Sequence, residues 1–328
     1  MTRYLNKQAF KNDWELLKKT FTGFMDDKGM KLSASLSYYT IFSLAPLLLL
    51  LISLVGFFLG KDAVQGQLFS EINGMVGNQA AAQVQEMIKN LELSGKTTSA
   101  VVIGAVTLII GATTVFGEIQ DSINMIWKVK AKPKRGWLKL LKDRLLSSSL
   151  IVGLGFLLIV SLVVNGALQG LNDMLKNYFP DVTVVIFNIL NVVISFLVIT
   201  VLFGVIFKVL PDVKIQWKEV RVGAFFTACL FMLGRFLIGF YLETAGTASA
   251  YGAAGSLIII LLWVYYTAAI LYFGAEFTRA YADFLGIRIR PADYAVYVEQ
   301  TEREIDKAVI PLGEKKKSLL NDDEPKKS

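Results

Sequence analysis

Histidine is absent from all 328 residues, and cysteine occurs once, at Cys229. Without histidine the chain lacks the commonest general base near neutral pH and the commonest zinc ligand. One cysteine cannot close a disulfide within the chain. Cys229 lies inside an apolar run, where a weakly polar packing role is the plain reading. No Gly-rich loop ends in Lys-Ser or Lys-Thr, no dinucleotide fingerprint follows a strand, and no nucleophile elbow is present. No acidic pair stands in an obvious magnesium site. The expectation is a protein with no catalytic residue, no metal and no cofactor, and not an enzyme.

Charge is missing in a patterned way. Residues 32–60, 97–117, 145–172, 182–207 and 244–275 contain no Asp, Glu, Lys or Arg, and residues 222–242 contain only Arg235. A soluble domain of this length would need charges spread along its surface. A helix that crosses a bilayer needs about 20 mostly apolar residues. Each of the six blocks reaches that length. We expect an all-α polytopic membrane protein with spans near 33–59, 98–117, 145–166, 182–207, 221–242 and 254–277. The first block follows a long charged segment and is too long for a signal-peptide core, so it reads as a span.

The charges that remain give an orientation. Lys and Arg number 7 before the first span, 8 after the second, 4 after the fourth and 10 after the sixth. The alternate connections carry 3, 1 and 0. That is 29 against 4, and basic connections stay in the cytoplasm. Both termini are therefore expected inside, in the cytoplasm. The net charge of +7 is then a topology signal that also suits anionic lipid head groups. Nucleic acid is not expected as a partner, and association of identical copies stays open.

The flanks carry further signals. Residues 1–32 form a basic segment in which Phe10, Trp14, Leu17, Phe21 and Phe24 recur at helical spacing among Lys7, Lys11, Lys18 and Lys19. This predicts an amphipathic helix on the inner membrane surface. In the six-helix domain, 33–285, residues 61–97 read as two amphipathic helices divided at Gly77-Asn78, a structural cap or a lid on the outer face. Residues 118–144 read as a basic cytoplasmic segment. The tail, 286–328, predicts a surface helix over 293–310 and a disordered end from about 313.

Polar groups inside a membrane are costly and so informative. Arg235 lies about 10 Å below the outer end of the fifth span. It either snorkels to the head groups or lines a cavity as an anion-binding group. Pro46 should kink the first span, and Tyr38, Tyr39 and Ser43 make its inner half polar, so it lines a cavity or packs on a neighbouring helix. Asn188 and Asn191 need partners within the bundle. Glu118 and Glu276 are expected at the inner interface, meeting Lys208, Arg221 or Arg279 in a structural role.

Several ordered motifs carry a resemblance. Leu36-Ser37-Tyr38-Tyr39-Thr40-Ile41-Phe42-Ser43-Leu44-Ala45-Pro46 opens it. Leu210-Pro211-Asp212, Trp217, Gly223-Ala224, Leu233-Gly234-Arg235 and Tyr241 follow. Tyr251-Gly252-Ala253-Ala254-Gly255-Ser256, Leu262-Trp263-Val264-Tyr265-Tyr266 and Phe273-Gly274-Ala275-Glu276 complete it. Over roughly residues 20–285 the chain resembles the YihY/BrkB family of bacterial inner-membrane proteins. The resemblance implies six spans and a link to serum resistance and envelope integrity. It also implies an older label, ribonuclease BN, a tRNA-processing nuclease, which the missing histidine does not support. The leading expectation is a protein of envelope integrity that acts as a transporter or flippase of lipids or other anionic amphiphiles. A non-transporting membrane scaffold is the alternative, and the nuclease a third.

Overall fold

The computed structural model describes residues 7–94, 98–132, 180–244 and 255–299. The expected span at 145–166 and the tail from 300 onward lie outside the described residues. The described residues up to Tyr297 form one compact unit.

Helices dominate this unit. α1 is Lys7–Asp26, α2 Gly29–Leu59, α3 Lys61–Val76, α4 Asn78–Ser94 and α5 Thr98–Ile126. α6 is Pro180–Val209, α7 Trp217–Thr244 and α8 Gly255–Phe284. Among the described residues, stretches of α2, α6, α7 and α8 are long and apolar enough to cross a membrane. They satisfy their backbone groups internally, which a bilayer interior requires. Their outward faces are apolar too: Phe57, Phe58, Ile189, Leu197, Phe236 and Phe240 are all exposed. An exposed apolar belt of this kind suits lipid contact.

α8 is the hub, packing on α1, α2 and α7 and also touching α4 and α5, while α2 packs on α5 and on the α3–α4 pair. The α7–α8 contact is built from small residues, as membrane helices pack. A Cβ on Gly274 would overlap the side chain of Thr227, and a Cβ on Gly223 that of Thr278. Each threonine returns its hydroxyl to its own helix: Thr227 Oγ1 donates to the Gly223 carbonyl and Thr278 Oγ1 to the Gly274 carbonyl, both at 2.7 Å. The polar atom is satisfied, so the close approach costs no buried hydrogen bond.

The α3–α4 pair forms one end of the unit, the cap end. Gly60 (φ 87°) and Gly77 (φ 85°) make the two sharp turns, in a backbone region that side chains with a Cβ rarely adopt. Val64, Leu68, Val76, Val84 and Ile88 are buried beneath the pair, matching the amphipathic pattern. Ser256 hydrogen-bonds Gln83 and ties α8 to α4.

The opposite, basic end departs from a purely helical reading. Two short antiparallel sheets form there: β1 (Val129–Ala131) with β4 (Ala295–Tyr297), and β2 (Val213–Lys214) with β3 (Arg290–Pro291). The surface helix expected over 293–310 is therefore corrected at its start, because residues 295–297 pair with the segment that leaves α5. α1 also differs from a helix that only lies on a membrane. It buries Leu16, Thr20 and Phe24 and packs on α8, leaving Trp14, Leu17, Phe21 and Met25 exposed. Pro46 does not interrupt α2, which runs 31 residues through it.

Candidate functional site

Arg235 sits in α7 about 27 Å along the helix from Trp217 and about 13 Å from Thr244 at 1.5 Å per residue. It is half-buried. Its Nη2 lies 3.7 Å from where a Cβ on Gly74 of α3 would stand. That is ordinary van der Waals contact, so the guanidinium lies beside α3 of the cap. Just before it, a Cβ on Gly234 would overlap the phenol of Tyr266, so the helix is held tightly against α8 at this depth. Among the described residues Arg235 has no acidic partner. Also at the cap end, a cleft of about 700 Å³ opens between α2, α3 and α4. Ile52, Leu68, Ile72 and Val84 give it an apolar wall, and Gln65, Gln85, Glu86 and Lys89 a polar one of both charge signs.

The other expected cavity residues are not gathered around one space. Tyr38 and Tyr39 are exposed, and with Phe42 they form an edge-to-face aromatic cluster. Ser43 and Pro46 are buried, and both lie against Gly111 of α5, so they pack helix on helix. Asn191 is exposed on α6, and the side chain of Asn188 lies outside the described residues.

The basic end holds a buried polar network that the linear pattern of residues largely conceals. Glu276 is fully buried and accepts a hydrogen bond from Arg279 Nη2 at 2.6 Å. Arg279 Nη1 donates to the Ile126 carbonyl at 2.8 Å, capping the end of α5, and lies 3.8 Å from Asp27 Oδ2. Lys128 also pairs with the buried Asp27. Lys128 has φ 56° and Lys28, next to Asp27, has φ 57°. Two non-glycine residues in this region mark turns held by their surroundings. Trp127 Nε1 donates to the Ala275 carbonyl at 2.9 Å. A Cβ on Gly23 would overlap the Glu276 carboxyl, so α1 closes directly over it.

A second cluster centres on Asp212, in the turn between α6 and α7. Its carboxylate accepts from Gln120 Nε2 at 3.1 Å, Asn124 Nδ2 at 2.9 Å and Tyr294 OH at 2.9 Å. Its backbone N–H donates to Asn124 Oδ1 at 2.8 Å. One side chain thus joins α5, the α6–α7 turn and the segment before β4.

The expected interfacial pairs are accordingly re-sorted. Glu276 meets Arg279, one of its three expected partners. Lys208 instead donates to the Ile215 carbonyl, and Arg221 Nε to the Trp217 carbonyl at 3.3 Å. Both are held by the α6–α7 turn, while Glu276 faces α1. Glu118 is half-buried without an ion pair among the described residues. No group of three or more acidic, cysteine or histidine side chains that could hold a metal occurs among the described residues.

The sequence description of the family "Virulence factor BrkB" matches residues 20–293. The chain belongs to the BrkB family. The matched region takes in α2 through α8, Arg235, the Glu276 network and the Asp212 cluster except Tyr294. A UPF0761 membrane protein of Psychrobacter sp. (strain PRwf-1) is 26% identical over 298 residues, covering 89% of this chain and 53% of the relative. UPF0761 membrane proteins of Alkalilimnicola ehrlichii (26% identical; 82% of this chain, 58% of the relative) and Vibrio vulnificus strain YJ016 (27%; 76% of each) are similar to it as well. The chain spans about half the length of the first of these relatives. No solved structure matches it. It is a BrkB-family membrane protein, built largely of helices, of a bacterial membrane type shared with these relatives.

Proposed function

We propose that this BrkB-family protein serves envelope integrity in the inner membrane by handling an anionic amphiphile, as a transporter or flippase. In this reading six helices cross the bilayer. The basic end and both termini lie in the cytoplasm, and the α3–α4 cap lies outside. The observation that carries it is Arg235, a cation in an otherwise uncharged helix segment, half-buried against the cap with no acidic partner among the described residues. A charge at such a depth costs about 2.5–3.5 kcal/mol by insertion scales unless water or an anion compensates it. A phosphate or carboxylate on an apolar tail would supply the compensation, and the half-apolar cleft of the cap offers a surface of matching character.

The test is complementation of an envelope-stress phenotype by Arg235→Lys and Arg235→Gln, with membrane abundance as control. A guanidinium that grips an anion through two N–H groups is poorly replaced by lysine. Both variants should fail at normal abundance. Full function of both would leave Arg235 as an interfacial anchor and remove the anion-handling role. The buried locks at the basic end favour the second reading, a non-transporting scaffold. Under that reading both Arg235 variants complement at normal abundance.

A further inference from the structure

Lys208, Trp217, Lys218 and Arg221 stand together where α6 ends and α7 begins. With Ile215 and Gln216 they line an open groove of about 690 Å³. The groove is basic. Its three cations have no carboxylate partner among the described residues. The acidic residues nearby, Asp212 in the connecting turn and Glu219 in the first turn of α7, are 1% and 2% exposed and so withdrawn from the surface. The cations are also positioned. Lys208 bonds the Ile215 carbonyl across the turn, and Arg221 Nε bonds the Trp217 carbonyl, leaving its two Nη groups for a ligand.

The surface beside the groove is apolar. Along α7, Lys218, Arg221, Val222 and Phe225 share one face at three- and four-residue spacing, and Val222 and Phe225 are exposed. Along α6 the exposed Leu197 and Val201 fall on the face that ends at Lys208. Phe196 meets Phe225 edge to face with ring centroids 5.3 Å apart, closing the floor between the helices. Trp217, 49% exposed, stands at the boundary between the two zones, where tryptophan is enriched in membrane proteins.

We propose that this groove is a binding site for one anionic phospholipid, with the head-group phosphate among Lys208, Lys218 and Arg221 and the acyl chains along the α6–α7 face. Charge complementarity selects the anion, and the exposed apolar stripe selects a lipid over a soluble phosphate. The inference rests on the membrane reading above and narrows the head-group contact to a single place. It also gives Lys208 and Arg221 a role other than pairing with Glu276.

The test is native mass spectrometry of the full chain, purified in detergent and titrated with phosphatidylglycerol or phosphatidylcholine. Each basic group near a membrane surface contributes about 1 kcal/mol toward an anionic lipid, so removing three should weaken phosphatidylglycerol retention on the order of 100-fold. The variant is Lys208→Gln/Lys218→Gln/Arg221→Gln. The control is Lys11→Gln/Lys18→Gln/Lys31→Gln, which removes the same charge from exposed positions of α1 and α2. Expected are a phosphatidylglycerol preference in the wild type and the control, and its loss in the groove variant. Equal retention by all three proteins, or equal loss in both variants, would overturn the site. Displacement of the bound lipid by millimolar glycerol phosphate would overturn the lipid assignment. Should the triple variant fold poorly, Arg221→Gln alone must lower retention at least about 3-fold. The readout is lipid retention, so failure here leaves the Arg235 reading untouched, and a silent Arg235 leaves the groove untouched.

Discussion

Asp212→Ala should destabilise the fold more than a substitution in a turn ordinarily does. Asp212 is 1% exposed, and its carboxylate is the acceptor for Gln120, Asn124 and Tyr294. Truncation leaves three donors without it. A buried group that loses its partner costs about 1–3 kcal/mol. Gln120 and Asn124 are buried and should bear most of that, whereas half-buried Tyr294 can reach water. The expected loss is about 3–5 kcal/mol, read as the shift in reversible unfolding by sodium dodecyl sulfate in mixed micelles. Asp212→Asn keeps one oxygen and should lose roughly half as much. Asn124→Ala removes two bonds to Asp212. The double variant with Asp212→Ala should therefore cost less than the two singles added, by about 1–3 kcal/mol. A loss below about 1 kcal/mol for Asp212→Ala, or strict additivity with Asn124→Ala, would refute the view that this side chain joins three segments.

Gly274→Ala should cost about 1–3 kcal/mol in the same assay, because its Cβ overlaps Thr227; Thr227→Ala in the same chain should restore part of that, and no restoration would count against the interlocked packing. Topology can be read with single cysteines in a Cys229→Ser background. Gln79→Cys on the cap should react with an impermeant maleimide in spheroplasts, and Asp26→Cys only after permeabilisation; the reverse pattern would invert the orientation.

Much of the helical framework is legible in the sequence because an uncharged, apolar run of about 20 residues matches the thickness of a bilayer and leaves a soluble surface nothing polar to show. α2, α6, α7 and α8 each begin and end within a few residues of their expected spans, except that α8 continues to Phe284 through Glu276 and Arg279. That extension is hidden because two charges usually end a span, whereas here Arg279 reaches both Glu276 and the end of α5. The strands were hidden for another reason. Val129–Ala131 and Ala295–Tyr297 are three residues each, too short for any period, and only their pairing across the chain makes them extended.

Arg235 was legible as a lone charge in an apolar helix, but its neighbour Gly74 was not, since nothing local links residues so far apart in the chain. Asp212 carried a sequence signal inside Leu210-Pro211-Asp212, and Gln120 and Asn124 stand four residues apart on one face. Their convergence depends on tertiary packing. Lys208 and Arg221 stand at the expected ends of their helices but bond the Ile215 and Trp217 carbonyls rather than Glu118 or Glu276, because depth along a helix does not fix which side it turns to a neighbour.

The most direct test of the transport reading uses proteoliposomes that carry a fluorescent phosphatidylglycerol in both leaflets, with a membrane-impermeant quencher added outside. The wild-type chain should let the quencher consume the inner-leaflet pool as that lipid crosses, and Arg235→Gln, reconstituted at equal density, should leave about half of the signal protected, as in protein-free vesicles. Wild-type protein that leaves the same half protected, or Arg235→Gln that moves lipid at the wild-type rate, would contradict it.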